Sequence, residues 1–224
     1  MTSYSIHVMH CPDCNCKFVF RSLSSYSTFD AICYTDGSVH GSPSSSGGLV
    51  LSCPKCAHCH WATELAEEQT YSVTEYDKIE ALEPLPAVFE IEHDQYPRLL
   101  REKFWHNAEQ EKYIRTHAWW EFNMPYRDYC MDSSTIASFE LPEEQAENLR
   151  NLLPLLDSDE NGTIMKAEVL RELGEFDACI ELLDHPFGKG HLPAVSAIRK
   201  LASRNNPLVA LIYFPNDDCW SDFE

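Results

Sequence analysis

Two Cys-x-x-Cys pairs constrain this chain more than any other feature: Cys11-Pro12-Asp13-Cys14 and Cys53-Pro54-Lys55-Cys56. Two residues between cysteines let a tight turn present both sulfurs to one ion, with backbone amides offsetting the thiolate charge. Two such turns, brought together by a small sheet, complete a tetrahedral four-sulfur site. Proline after each first cysteine sets φ near what the turn requires. The 38 residues between Cys14 and Cys53 are a long insertion, but added loop length costs little closure entropy. Cys11, Cys14, Cys53 and Cys56 are therefore the expected ligands of a structural Zn2+, with iron left open because it uses the same spacing. A full set of four thiolates leaves no coordination position for substrate, which argues for a folding role and against catalysis.

Composition narrows the setting. The N-terminus does not read as a secretory signal, and no apolar run approaches the ~20 residues that span a bilayer. A cytoplasmic protein with reduced thiols is expected, and the ten cysteines then read as ligands or redox motifs and not as a disulfide framework. A thioredoxin-like reading lacks the βαβ context that such motifs occupy. The net charge of -19 is unevenly placed: residues 1–62 carry three basic and three acidic residues, whereas residues 63–224 carry 14 basic and 33 acidic ones. Neither nucleic acid nor an anionic membrane is expected as a partner, because both are bound through a basic footprint. The acidic surplus suits solubility or a cationic protein partner.

The fold class expected is α+β: a small antiparallel zinc-ribbon sheet over 1–75, a linker over 76–96 and a helical domain over 97–224. Short apolar bursts (Phe18-Val19-Phe20, Ala31-Ile32-Cys33-Tyr34, Leu49-Val50-Leu51), bounded by Thr35-Asp36-Gly37 and the Ser/Gly/Pro-rich 41–48, read as strands and turns. The 41–48 stretch reads as a mobile loop. Thr63 and Glu64, Glu67 and Glu68 predict a helix over 63–69. A helix is expected from Pro97 to just before Pro125, because the residue before proline disfavours the α region. The pair Trp119-Trp120 must bury at least one indole. Further helices are expected from Pro142, over 165–173, over 176–183 and over 194–202, while 208–214 fits strand or helix.

Three groups near these elements invite other chemistry. Cys16, Cys33, Cys59, His58 and His60 stand near the knuckles in sequence and read as extra ligands or as ordinary small hydrophobes and exposed imidazoles. Residues 157–168, from Asp157 through Asp159, Asn161 and Gly162 to Glu168, fit the twelve-residue calcium loop at several positions. Pro154, Met165 and the lack of a second loop oppose it, and an acidic turn between packed helices is favoured. His117 and Glu121 are four apart and read as a surface pair before a catalytic one.

The stretch from Ala167 through Gly174 and Phe176 to Ala178 and Leu182 resembles half of a tetratricopeptide-type helical hairpin. Together with the knuckles, Tyr34-Thr35-Asp36-Gly37 and the Trp-Trp segment, it resembles an uncharacterised bacterial family that joins a zinc ribbon to a tetratricopeptide-like helical region. That resemblance implies metal binding and a protein-contact role, with no activity. Asn15 and Ala57 stand where the family carries glycine after each knuckle. Ala tolerates the left-handed conformation poorly, so the second knuckle is expected to be strained or differently closed. The function that follows is a zinc-binding, non-enzymatic adaptor contacting a protein through its acidic helical region. The alternatives are a metal-dependent or thiol enzyme, for which no phosphate loop, zincin or hydrolase motif is found, and a calcium-responsive module built on 157–168.

Overall fold

The computed structural model describes residues 3–25, 31–40, 50–72, 75, 79–82, 84–88, 90–131 and 139–212. The Ser/Gly/Pro stretch 41–48 lies outside the described residues. Strands are β1 (Ser3–His10), β2 (Lys17–Ser25), β3 (Ile32–Cys33), β4 (Val39–His40), β5 (Val50–Ser52), β6 (Cys59–Trp61), β7 (Ala66–Ser72) and β8 (Ala87–Val88). Helices are α1 (Tyr96–Glu102), α2 (Ala108–Met131), α3 (Glu143–Leu152), α4 (Glu160–Glu172), α5 (Phe176–Leu182) and α6 (Leu192–Ala202). Mixed sheet and helix make this an α+β fold. The chain divides into two compact units, one of Met1–Ala31 with Gly41–Glu92 and one of Ile32–His40 with His93–Glu224.

The first unit is built on a four-stranded sheet in the order β7-β1-β2-β8. β1 and β2 pair antiparallel, with Val8 opposite Val19 and Met9 opposite Phe18. Alternation along β2 sends Phe18 and Phe20 to one face, where they pack with Met9, Leu51, Leu65, Cys11 and Cys53. It sends Val19 to the other face, with Ile6 and Val8 and the partly buried Ile79, Leu82 and Leu85. Both faces of the β1–β2 pair are thus packed at these apolar positions. β8 falls within the stretch read as a linker, and it pairs parallel to β2.

The helix expected over 63–69 does not form. A single 3₁₀ turn at Ala62–Glu64 is followed by β7, which pairs with β1 from Ser5 opposite Ser72 to His10 opposite Ala66. Glu67 and Glu68 are good helix formers, but here tertiary pairing overrides propensity. The strand is exposed along most of its length, and Glu68 instead pairs with His10 of β1 at 2.8 Å and with Lys17 of β2 at 2.6 Å.

In the second unit α2 carries Trp119 into a core with Leu149, Leu152 and Val169. α4 contributes Ile164 and Ala167 to another core with Cys179, Leu183, Val195, Ile198 and Ala202, so one helix serves both. Gly174, at φ +81°, closes the hairpin between α4 and α5; its amide donates to the Arg171 carbonyl at 3.0 Å and that of Glu175 to Leu170 at 2.9 Å. Leu170, Phe176 and Ile180 pack on the core around Ala167, whereas Leu173 turns to the Trp119 core.

Two expectations for the long helical segment are corrected. Helix α1 stops at Glu102, with Lys103 left-handed at φ 52°, and α2 starts afresh at Ala108. Helix α2 also does not end before Pro125 but runs through it to Met131. Proline cannot donate to the Glu121 carbonyl, yet Asn123 and Arg127, four residues apart on one face, both bond the Asp36 carboxylate. That shared partner holds the helix on either side of the proline.

The segment 32–40 is the unexpected member of this unit. β3 and β4 form a hairpin whose turn is closed by Gly37 N–H donating to Tyr34 O at 2.9 Å. Gly37 sits at φ +77°, and a Cβ there would lie 2.6 Å from the Met165 sulfur. Of the stretch 208–214, residues 213–214 lie outside the described residues. The rest meets this hairpin through one isolated antiparallel bridge, Leu211 to Tyr34, with Ile212 N–H donating to Cys33 O and Thr35 N–H to Ala210 O, both at 2.9 Å.

Candidate metal centre

The two knuckles are built alike. In each, the first cysteine's amide donates to the carbonyl five residues on (Cys11 to Cys16, Cys53 to His58), and the residue after the second cysteine donates back to the first (Asn15 to Cys11, Ala57 to Cys53), all at 2.9 Å. This closure needs a left-handed residue after the second cysteine, and Asn15 at φ 54° and Ala57 at φ 60° supply it. The second knuckle is therefore closed in the same way as the first, with alanine in the conformation that disfavours it.

The four sulfurs converge. Cys11 and Cys56 lie 3.6 Å apart, as do Cys14 and Cys53, and all four fall within 4.8 Å of one another. A tetrahedral ion with metal–sulfur bonds of about 2.3 Å would space its sulfurs by about 3.8 Å. A disulfide needs about 2.05 Å, and these cysteines are free. Cys11 and Cys53 are buried on the core beneath, and Cys14 and Cys56 pack at its edge.

Electrostatics favour a thiolate at Cys53 and oppose one at Cys56 and Cys11. Burial works against ionisation of Cys53, but the amides of Cys56 and Lys55 favour its thiolate and hold it at about 6. Cys56 has the His58 amide in its favour, but desolvation and the sulfurs of Cys53, Cys11 and Cys14 push it up to about 12. Burial raises Cys11 as well. Protons on neighbouring sulfurs are what a bound divalent cation would replace, so the donor set fits Zn2+ or Fe2+.

The nearby candidates separate. His58 Nδ1 lies 2.6 Å from Asp13 Oδ2, and His60 Nε2 lies 3.5 Å from both Asp13 Oδ2 and Cys11 Sγ. Cys16 donates to the Lys17 carbonyl at 3.7 Å, and Cys33 is buried in the other unit. The calcium-loop reading fails on geometry. Asp159 caps α4, its carboxylate accepting from Gly162 N–H at 2.7 Å. Residues from Glu160 onward are helix, and Glu168 is fully buried against Arg171. The surface pair of His117 and Glu121 is also corrected. His117 is buried, its ring centroid 4.5 Å from Tyr96, 4.2 Å from Tyr113 and 4.9 Å from Trp120.

Sequence reasoning did not find the polar centre of the helical unit. The fully buried Asp36 pairs with Arg127. Asn123 Nδ2 donates to Asp36 at 3.0 Å and to Glu172 at 2.9 Å, and Trp119 Nε1 donates to Glu172 at 2.7 Å. Burial, followed by the nearby Glu168 charge, drives the Glu172 carboxyl well above the ordinary carboxylate value. Each residue is unremarkable in sequence; the one local signal was Asp36 before Gly37, which read only as a turn.

No protein-family model, curated protein or solved structure matches the chain. No helix among the described residues is long and apolar enough to cross a membrane.

Proposed function

We propose that this is a zinc-binding protein in which Cys11, Cys14, Cys53 and Cys56 hold a structural ion. In this reading the helical region, tetratricopeptide-like in its α4–α5 hairpin, acts as a non-enzymatic adaptor. The observation that carries the metal role is the convergence of four free sulfurs from two identically closed turns. A structural role follows because all four positions are filled by protein and the sheet beneath is small. Support for the adaptor role is the acidic surplus of residues 63–224. It includes the exposed Glu175, Asp177, Glu181 and Asp184 on and beside α5, which suit a cationic protein surface.

The test is capture of partners by tagged wild type and by Cys53→Ser at rising ionic strength. A partner held by both and released by salt supports contact through the acidic region. Capture that persists unchanged in high salt contradicts it.

A further inference from the structure

We propose that the centre holds a second divalent transition-metal ion, bound by Asp13, His60 and a Cys11 sulfur shared with the four-cysteine ion. This inference rests on the four-cysteine reading, since the bridging sulfur belongs to that set. The observation is the spacing of three different donors on one side of the knuckles. His60 Nε2 stands 3.5 Å from Cys11 Sγ and 3.5 Å from Asp13 Oδ2, and the three ligand atoms lie within 4.8 Å of one another. Around a tetrahedral ion with nitrogen and oxygen at about 2.0–2.1 Å and sulfur at about 2.3 Å, the corresponding edges are about 3.3–3.6 Å. The separations of His60 from Cys11 and from Asp13 are those of ligands sharing an ion.

The donor chemistry agrees. Imidazole, carboxylate and thiolate together suit Zn2+ or a neighbouring first-row divalent ion and not Mg2+ or Ca2+. A thiolate has lone pairs enough to bridge two ions, and the extra positive charge offsets a four-thiolate set that is anionic with one divalent ion. His58 is placed to orient the site: Nδ1 lies 2.6 Å from Asp13 Oδ2, too close for both to be neighbours on one tetrahedral ion but right for a hydrogen bond that fixes the carboxylate. Asp13 is about half exposed and His60 largely buried. Three protein ligands leave one position facing water, unlike the closed four-cysteine site. The second ion is therefore the exchangeable one.

Native mass spectrometry of the full chain, equilibrated with buffered micromolar free Zn2+ at neutral pH, reads the stoichiometry directly. Two ions are expected in the wild type and one in Asp13→Ala and in His60→Ala, each measured separately so that neither variant's folding decides the matter. His58→Ala should keep both ions while weakening the second by about 10–100-fold. Cobalt substitution should show two titration steps in the wild type and one in His60→Ala, with strong thiolate-to-cobalt absorption in the first and a smaller increment from the shared Cys11 sulfur in the second. One ion in the wild type overturns the second site and leaves the four-cysteine centre standing. No ion in the wild type overturns both. Two ions retained in Asp13→Ala and His60→Ala place the second ion elsewhere and overturn the proposal.

Discussion

Ala57 is the residue whose backbone costs the fold most visibly. At φ 60° an L-residue with a β-carbon loses roughly 1–2 kcal/mol against the right-handed region, and glycine would recover that less the larger entropy of its unfolded chain. Ala57→Gly should therefore stabilise the metal-loaded ribbon by about 0.5–1 kcal/mol in chemical denaturation, while Asn15→Ala should weaken it by a similar amount. Equal stability in both variants would show that the turns do not bear this strain. In the helical unit the telling residue is Glu172. Its carboxyl titrates well above the ordinary 4.5 because burial, with Glu168 and Asp36 nearby, disfavours the charge. The folded state then holds its proton to higher pH than the unfolded chain does. Its contribution to stability is fully present below about pH 4.5 and declines as pH rises through the folded value. Glu172→Gln should flatten that decline whatever it does to absolute stability, and a slope unchanged in the variant would contradict the assignment.

Elements carry the contacts that sequence patterns could and could not reveal. The knuckles were legible because their chemistry is local: Cys-Pro-x-Cys specifies its own turn, and the strands at Phe18–Phe20 and Val50–Leu51 announced themselves as apolar bursts. The α4–α5 hairpin was legible for the same reason, from Gly174 and the apolar spacing around it. Strand β7 was not, since its Glu-rich residues are extended only because β1 offers them partners. Nor was the course of α2 through Pro125, which depends on Asp36, a residue 87 and 91 positions away from Asn123 and Arg127. Asp36 makes that segment a test of tertiary over local control. Removing one member of a buried ion pair costs about 3–5 kcal/mol because the other charge is left behind. Arg127→Met should lower the stability of the helical unit by about that much in urea denaturation, and a loss below about 1 kcal/mol would mean that the pair does not hold the hairpin of β3 and β4 in place. Asp159 gives the complementary small effect: as an N-cap, its replacement by alanine should cost about 1 kcal/mol, equally with and without added calcium.

Across the whole chain, charge is unevenly placed along the sequence. Net charge is zero over residues 1–62 and -19 over 63–224, so duplex DNA at moderate salt should bind no better than it does to a neutral control protein; salt-dependent submicromolar binding would contradict that. Within the stretch between Cys14 and Cys53, Ile32–His40 belongs to the helical unit. A metal joining the knuckles therefore closes a chain loop whose middle, with Asp36, is built into the helical unit. The ribbon has a small core of its own, and the ion's binding energy is folding energy for it. The central claim is that four cysteines hold an ion, and elemental analysis of protein purified without chelator tests it most directly. At least one zinc or iron per chain is predicted for the wild type, with the four-cysteine ion and the ribbon's fold lost together in Cys14→Ser/Cys53→Ser. Wild-type protein that is folded and free of both metals would contradict the account.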